Sequence, residues 1–285
     1  MALPNTIIGG ATKCGTGSLY FWLADHPEAC ASKVKETYYF VDDVNRFNEN
    51  ANFINDGLSN YANCFPNCAG DEKVIFEATA SYIYSKNALE QIPGLTTEPK
   101  VIFLVREPSK RVYSKYTFNK YKLNYNLGSF KDYVSDKGRF ACGYNFEEGQ
   151  YYKHLAKWRN KLGEDRMRVF LFEEMTSNPE LFMKKVTEFL DIDPFFYEGY
   201  NFLRRNETYS VKNRKLHRLA FKVQPYIPNF IQEKVLPFYV SMNGGKMPHK
   251  SEEEKKLISE LKDQYKPFNQ KLQEDFPYLD LSSWL

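Results

Sequence analysis

From residue 6 to residue 18 the chain reads Thr-Ile-Ile-Gly-Gly-Ala-Thr-Lys-Cys-Gly-Thr-Gly-Ser, and it continues as Leu-Tyr-Phe-Trp-Leu. An apolar run that stops on glycines, crosses a polar turn and enters a helical pattern at Ser18 constrains the fold more than any other stretch. A turn of this kind presents backbone N–H groups and the positive end of a helix to an anion, normally a phosphate. Three further apolar runs, Val74 to Phe76, Val101 to Val105 and Val169 to Phe172, have the unbroken hydrophobicity of parallel strands buried on both faces. Helical patterns separate them: Tyr151, Leu155, Trp158 and Leu162 repeat before the last run, and Phe182, Val186, Phe189 and Leu190 follow it, with Asn178-Pro179 as cap and first-turn residue. Strands alternating with helices predict an α/β fold, a central parallel sheet flanked by helices, with ligands beyond the carboxyl ends of the strands.

No internal repeat or linker divides the chain, so residues 1–285 are expected to form one domain. The segments 120–149 and 191–249 fit neither period and read as long excursions over the sheet. Ser251 and Glu254 form a capping box for a last helix faced by Leu257, Ile258, Leu261, Tyr265 and Phe268. With 42% hydrophobic and 26% charged residues, disordered and low-complexity readings are excluded. A formal charge of +3 does not by itself call for nucleic acid, and no apolar run is long enough to span a bilayer. Without a basic leader at the start, the protein is expected in the cytoplasm, and Cys14, Cys30, Cys64, Cys68 and Cys142 are expected as reduced thiols and not as a zinc site. Aromatic residues make up 16% of the chain, which suits either a thick core or a ring-lined cleft.

The spacing Gly10-x4-Gly15 echoes a Walker A loop, but Thr16 stands where a nucleotide triphosphatase needs its lysine, and the lysine comes earlier, at Lys13. The run ending at Val105 is followed by Arg106, not by the aspartate that would hold magnesium. The loop is therefore phosphate-shaped without being built for Mg·ATP. A second anion site is expected from Arg106-Glu-Pro-Ser-Lys-Arg-Val-Tyr-Ser114, where a guanidinium at a strand end and the Ser114 hydroxyl two turns along a helix could hold one phosphate. Taken singly, these are a packing turn and a surface arginine; together they suggest a ligand with phosphate-like groups at both ends.

At these residues the chain resembles the sulfotransferases that use 3′-phosphoadenosine 5′-phosphosulfate (PAPS), in particular their bacterial and heparan-sulfate-type branch, with a P-loop NTPase-like core. Ile7-Ile-Gly-x-x-x-Lys13-x-Gly15-Thr16, with Leu23-x-x-His26-Pro27, is similar to the family's 5′-phosphosulfate loop, and Arg106-x-Pro108-x-x-Arg111-x-x-Ser114-x-Tyr116 to its 3′-phosphate motif. Lys35-Glu36-Thr-Tyr-Tyr-Phe40, Glu77-Ala-Thr-Ala-Ser-Tyr82, the helix from Tyr151 to Trp158, Glu173-Glu-Met-x-x-Asn-Pro179 and Tyr265-x-Pro267-x-Asn269-x-x-Leu272 extend the likeness over nearly the whole chain. It departs at Ala78, where heparan-type enzymes often carry lysine, and at Gly244-Gly245-Lys246, which only approximates the family's closing loop.

The resemblance implies in-line transfer of a sulfuryl group to a hydroxyl or amine of a small-molecule acceptor, with 3′-phosphoadenosine 5′-phosphate (PAP) as product and no metal. It places Lys13 at the bridging oxygen and Glu36 as base. Donor contacts fall to Lys13, Cys14, Gly15, Thr16, Gly17, Ser18, Arg106, Ser114, Arg214 and Lys246, and acceptor contacts to Glu36, Tyr38, Glu77 and Tyr82, with Glu77 read either as such a contact or as a carboxylate standing behind the groups that make one. Glu36 has a plain alternative, a salt bridge to Lys35 or Lys33. Aryl and steroid sulfotransferases use histidine as base. Here His26 reads as structural, His154 and His217 as solvated, and His249 is the rival to Glu36. From Arg204 to Lys222 seven cations face Glu207 alone, either a solvated helix face or, through Arg214, part of the donor site. The apolar residues from Leu219 to Val240 read as a short helical pair or an acceptor wall. A small-molecule kinase and a non-catalytic binding module are the competing functions.

Overall fold

The computed structural model describes residues 2–135, 146–202, 210–223, 235 and 238–285. These fall into two compact units, one of residues 1–111, 146–206 and 262–285, the other of 112–145 and 207–261.

The first unit is built on five parallel strands, β1 (Thr6–Gly10), β2 (Ala29–Ala31), β3 (Val74–Glu77), β4 (Lys100–Val105) and β5 (Met167–Leu171), in the order β2-β3-β1-β4-β5. The α/β expectation of a parallel sheet between helices is met. Every residue of β1 and β3 and five of six in β4 are buried, because helices cover both faces. From β1 the chain runs to β2 and back to β3 on one side and then adds β4 on the other, so β1 lies at the switch point where such sheets bind ligands. The last strand starts earlier than its apolar run suggests, and Phe172 opens the helix Phe172–Ser177. Strand β2 was not foreseen: Ala29-Cys30-Ala31 is short, small and half-buried at the sheet edge.

The helix Tyr151–Leu162 buries the four residues its spacing predicts, and Trp158 packs on Phe103 at 5.2 Å while donating to the Ile83 carbonyl at 3.3 Å. In the helix Pro179–Leu190, Asn178 accepts from the Leu181 N–H at 3.0 Å and Pro179 takes the first turn, as expected.

The second unit holds the aromatic cluster of Tyr113, Tyr116, Phe130 and Tyr133, with centroids 5.1–5.4 Å apart for the packed pairs Tyr113–Phe130, Tyr116–Phe130 and Tyr116–Tyr133. Its two-stranded ribbon pairs β6 (Ser210–Val211) with β7 (Gly244–Gly245). The helix Glu252–Asp275 begins in this unit with the expected capping box: Glu254 accepts from the Ser251 N–H at 2.9 Å and Ser251 Oγ from the Glu254 N–H at 3.1 Å. Among the described residues no helix is long and apolar enough to cross a membrane.

Candidate active site

After β1 the backbone turns through left-handed conformations at Lys13 (φ 66°) and Gly15 (φ 92°) before the helix Thr16–Ala24. Gly15 is the helix N-cap, and a Cβ there would lie 2.9 Å from Phe172 Cδ2, so neither the conformation nor the space admits a side chain. The helix has no side-chain cap and no acidic residue in its first turn, so its positive end is not met by an anion of its own. Thr16 is buried, and Lys13, Gly17 and Ser18 are half-buried. Cys14 turns inward, with Sγ 3.7 Å from the Tyr151 hydroxyl, and burial pushes its thiol up to about 11. Only its backbone faces the loop.

Arg106 follows the end of β4. Its Nη1 donates to the Lys13 carbonyl at 3.4 Å, its guanidinium lies 4.4 Å over the Phe172 ring, and its buried Nε has no partner among the described residues. Beside it, burial raises the Glu173 carboxyl, offset by a hydrogen bond from the Glu107 N–H at 3.1 Å and by the Arg106 charge. Glu107 caps the helix Pro108–Thr117, accepting from the Ser109 and Lys110 N–H groups at 2.9 and 3.0 Å. One turn in, the buried Arg111 pairs with Glu148 at 2.9 Å. The other expected donor residues belong to the second unit: Ser114 is half-buried, Arg214 heads the helix Arg214–Val223 with its side chain outside the described residues, and Lys246 and His249 are exposed.

Glu36 is half-buried and ion-paired with the neighbouring Lys35. It also holds the phenol of Tyr38, whose pKa is raised by burial and then by the Glu36 carboxylate. Tyr38, at φ 52°, stacks on Phe47 at 5.2 Å. The expectation that Glu77 and Tyr82 touch the acceptor gives way, because both are wholly buried. Glu77 accepts from Thr37 Oγ1, Thr79 Oγ1 and the Tyr61 hydroxyl at 2.6 Å each and from the Tyr82 hydroxyl at 3.0 Å. Burial raises its carboxyl, and those four hydrogen bonds pull it back. Thr37, Thr79 and Arg111 were not singled out as site residues from the sequence; the one available signal was the run of hydroxyl residues around Glu36 and Glu77.

The cysteine expectation is corrected in part: Cys30 of β2 and Cys68 form a disulfide across 38 positions, a pairing that sequence spacing does not reveal. Cys14 and Cys64 are free thiols. His26 is structural, its Nε2 on the Asp193 carbonyl at 2.9 Å and its Nδ1 accepting from the Glu28 N–H at 3.1 Å. His217 is buried, not solvated, between the Tyr239 hydroxyl at 2.6 Å and the Lys122 carbonyl at 2.7 Å. His154 is half-buried, 3.2 Å from the Glu147 carbonyl. Much of the basic stretch 204–222 and of the apolar stretch 219–240 lies outside the described residues; Leu219 and Phe238 are exposed.

Residues 3–209 match the family model described as a sulfotransferase domain. The chain is 26% identical over 208 residues to bifunctional heparan sulfate N-deacetylase/N-sulfotransferase 4 of Mus musculus, covering 68% of this chain and 23% of that protein. It is 26% identical over 254 residues to heparan sulfate glucosamine 3-O-sulfotransferase 3A1 of Mus musculus, covering 85% and 61%. The chain thus spans less than two thirds of these relatives. Among solved structures it is similar to the sulfotransferase from Alicyclobacillus acidocaldarius, with a TM-score of 0.69 and 19% identity over 100% of this chain and 99% of that one. That likeness carries the P-loop NTPase-like fold.

Proposed function

We propose, from the premise that the chain belongs to the sulfotransferase domain family, that it transfers a sulfuryl group from PAPS to a hydroxyl or amine of its acceptor. The observation that carries this reading is the loop after β1, a left-handed glycine cradle before an uncapped helix with the Arg106 guanidinium on the Lys13 carbonyl. The residues present suit such a donor: Gly15 packs so closely on Phe172 and Met175 that the turn stays without a side chain, and the buried Nε of Arg106 is unpartnered among the described residues. When bound, PAPS supplies the sulfuryl group on a phosphate leaving group. The loop N–H groups from Gly15 to Ser18 bind the 5′-phosphate, Lys13 meets the charge that develops on the bridging oxygen, and Arg106 orients the donor from the end of β4. Glu36 takes the acceptor proton. Lys35 and Tyr38 hold its carboxylate in place before the acceptor arrives.

The names of the curated relatives direct the acceptor search to glucosamine-bearing oligosaccharides and other carbohydrates, beside small alcohols. PAP should stabilise the chain against heat and Mg·ATP should not. Sulfate label from PAPS should reach at least one acceptor of such a panel, and Lys13→Ala and Glu36→Gln should abolish that transfer. Stabilisation by Mg·ATP with none by PAP would replace this reading with a kinase, and full activity of Glu36→Gln would remove the base assignment.

A further inference from the structure

The residues after Glu36 form neither helix nor strand, yet four consecutive N–H groups there are all spoken for. Those of Thr37 and Tyr38 donate to Thr79 Oγ1 at 3.1 and 3.3 Å, that of Tyr39 to Thr37 Oγ1 at 3.3 Å, and that of Phe40 to the Tyr82 hydroxyl at 3.3 Å. Each accepting hydroxyl donates its own hydrogen bond to Glu77, at the carboxyl end of β3. On the other side of Glu36, the Lys35 carbonyl accepts from the Ala78 N–H at 3.1 Å. Both peptide groups that flank the Glu36 Cα are therefore held by the segment 77–79.

A hydroxyl has one proton and two lone pairs. In Thr79 both lone pairs are taken by the Thr37 and Tyr38 amides, so its proton must go to an acceptor, and Glu77 Oε2 is that acceptor. Thr37 Oγ1 likewise accepts from the Tyr39 amide and gives its one hydrogen bond to Glu77 Oε2. A buried carboxylate is what orients these hydroxyls so that their lone pairs face the chain after Glu36.

We infer that Glu77 is a positioning residue for the transfer reaction, which through Thr79, Thr37 and Tyr82 fixes where Glu36 stands without touching donor or acceptor. The inference rests on the sulfotransferase reading and on Glu36 as its base. Tyr61 supplies an internal control, since it donates to Glu77 at 2.6 Å but is not among the acceptors of the amides 37–40.

The test compares wild type with Thr79→Val, Thr79→Ser and Tyr61→Phe in the full chain, by amide hydrogen exchange and by steady-state kinetics with PAPS and a glucosamine-containing oligosaccharide. Thr79→Val should speed exchange at Thr37 and Tyr38 by about tenfold or more and lower kcat by about 10- to 100-fold with the KM for PAPS unchanged. Thr79→Ser should restore both, and Tyr61→Phe should leave both near wild type even where it lowers the melting temperature. If Thr79→Val leaves the two amides protected, or Tyr61→Phe lowers kcat equally, the inference is overturned. A wild type that neither binds PAP nor transfers sulfate would overturn the functional reading instead, and the exchange data would still decide whether the clamp exists.

Discussion

Replacing Arg111 with methionine keeps the apolar stem and removes a charge whose side chain is 1% exposed, while its partner Glu148, at 2.9 Å, is 19% exposed. Removing one member of a buried ion pair costs about 3–5 kcal/mol, because the other is left as an uncompensated buried charge. Glu148 can recover part of its hydration, so Arg111→Met should cost about 2–3 kcal/mol. In Glu148→Gln the group left behind is the guanidinium, which has almost no access to water and whose Nε already lacks a partner among the described residues. That variant should cost more, about 3–4 kcal/mol. The double variant should be less damaged than the sum of the two by about 2 kcal/mol. Urea unfolding at neutral pH, followed by tryptophan fluorescence, measures all three. Arg111→Met costing more than Glu148→Gln, or a coupling below about 0.5 kcal/mol, would refute the reasoning that exposure sets the order. Because Arg111 lies in the helix that follows Arg106, the same variants should weaken PAP binding in the order in which they lose stability.

Gly15→Ala should lower PAP affinity at least about tenfold and cost the fold about 1–2 kcal/mol, through a left-handed φ of 92° and a contact with Phe172; unchanged binding by calorimetry would count against the cradle. Closing 38 positions with the Cys30–Cys68 disulfide corresponds to about 4 kcal/mol in the chain-entropy picture, so Cys30→Ala/Cys68→Ala should lose about 2–4 kcal/mol in urea without reductant. A loss below about 1 kcal/mol would contradict this. Burial holds His154 below its ordinary pKa of 6.5, so between the two values the folded state binds fewer protons than the unfolded one. Its contribution to stability is then full above pH 6.5 and is lost as pH falls through the lowered value. His154→Phe, which keeps a ring against Tyr84 at 5.0 Å, should flatten that slope, and an unchanged slope would refute the assignment.

The strands β1 and β4 were legible because a segment buried on both faces must be apolar without a break, and the glycines that follow β1 are demanded by the local backbone. The loop from Lys13 to Ser18 and the Lys35–Glu36 pair were readable for a related reason, since each is contiguous in the chain. Edge strand β2 carries too little side chain to show a pattern, and Phe172 has the apolarity of a strand residue although it serves to pack Gly15 and Arg106. Glu77 stood open between an acceptor contact and a carboxylate behind such contacts because its partners come from positions 37, 61, 79 and 82, a convergence that only the folded sheet creates. The Cys30–Cys68 pair and the Arg111–Glu148 pair were hidden for the same reason.

A carboxylate serving hydroxyls from four separate positions also sets the terms on which this part of the chain can evolve. Loss of any one of them strands a proton or a lone pair that the other partners cannot take up, so the effect of a substitution at 37, 79 or 82 depends on what stands at the others. Such positions should drift as a block, through exchanges that retain a hydroxyl, while an exposed neighbour such as Phe47, which is 60% accessible, can change alone. In a library of random variants selected only for sulfate transfer, epistasis should concentrate on these buried hydroxyls more than on Lys13 and Arg106.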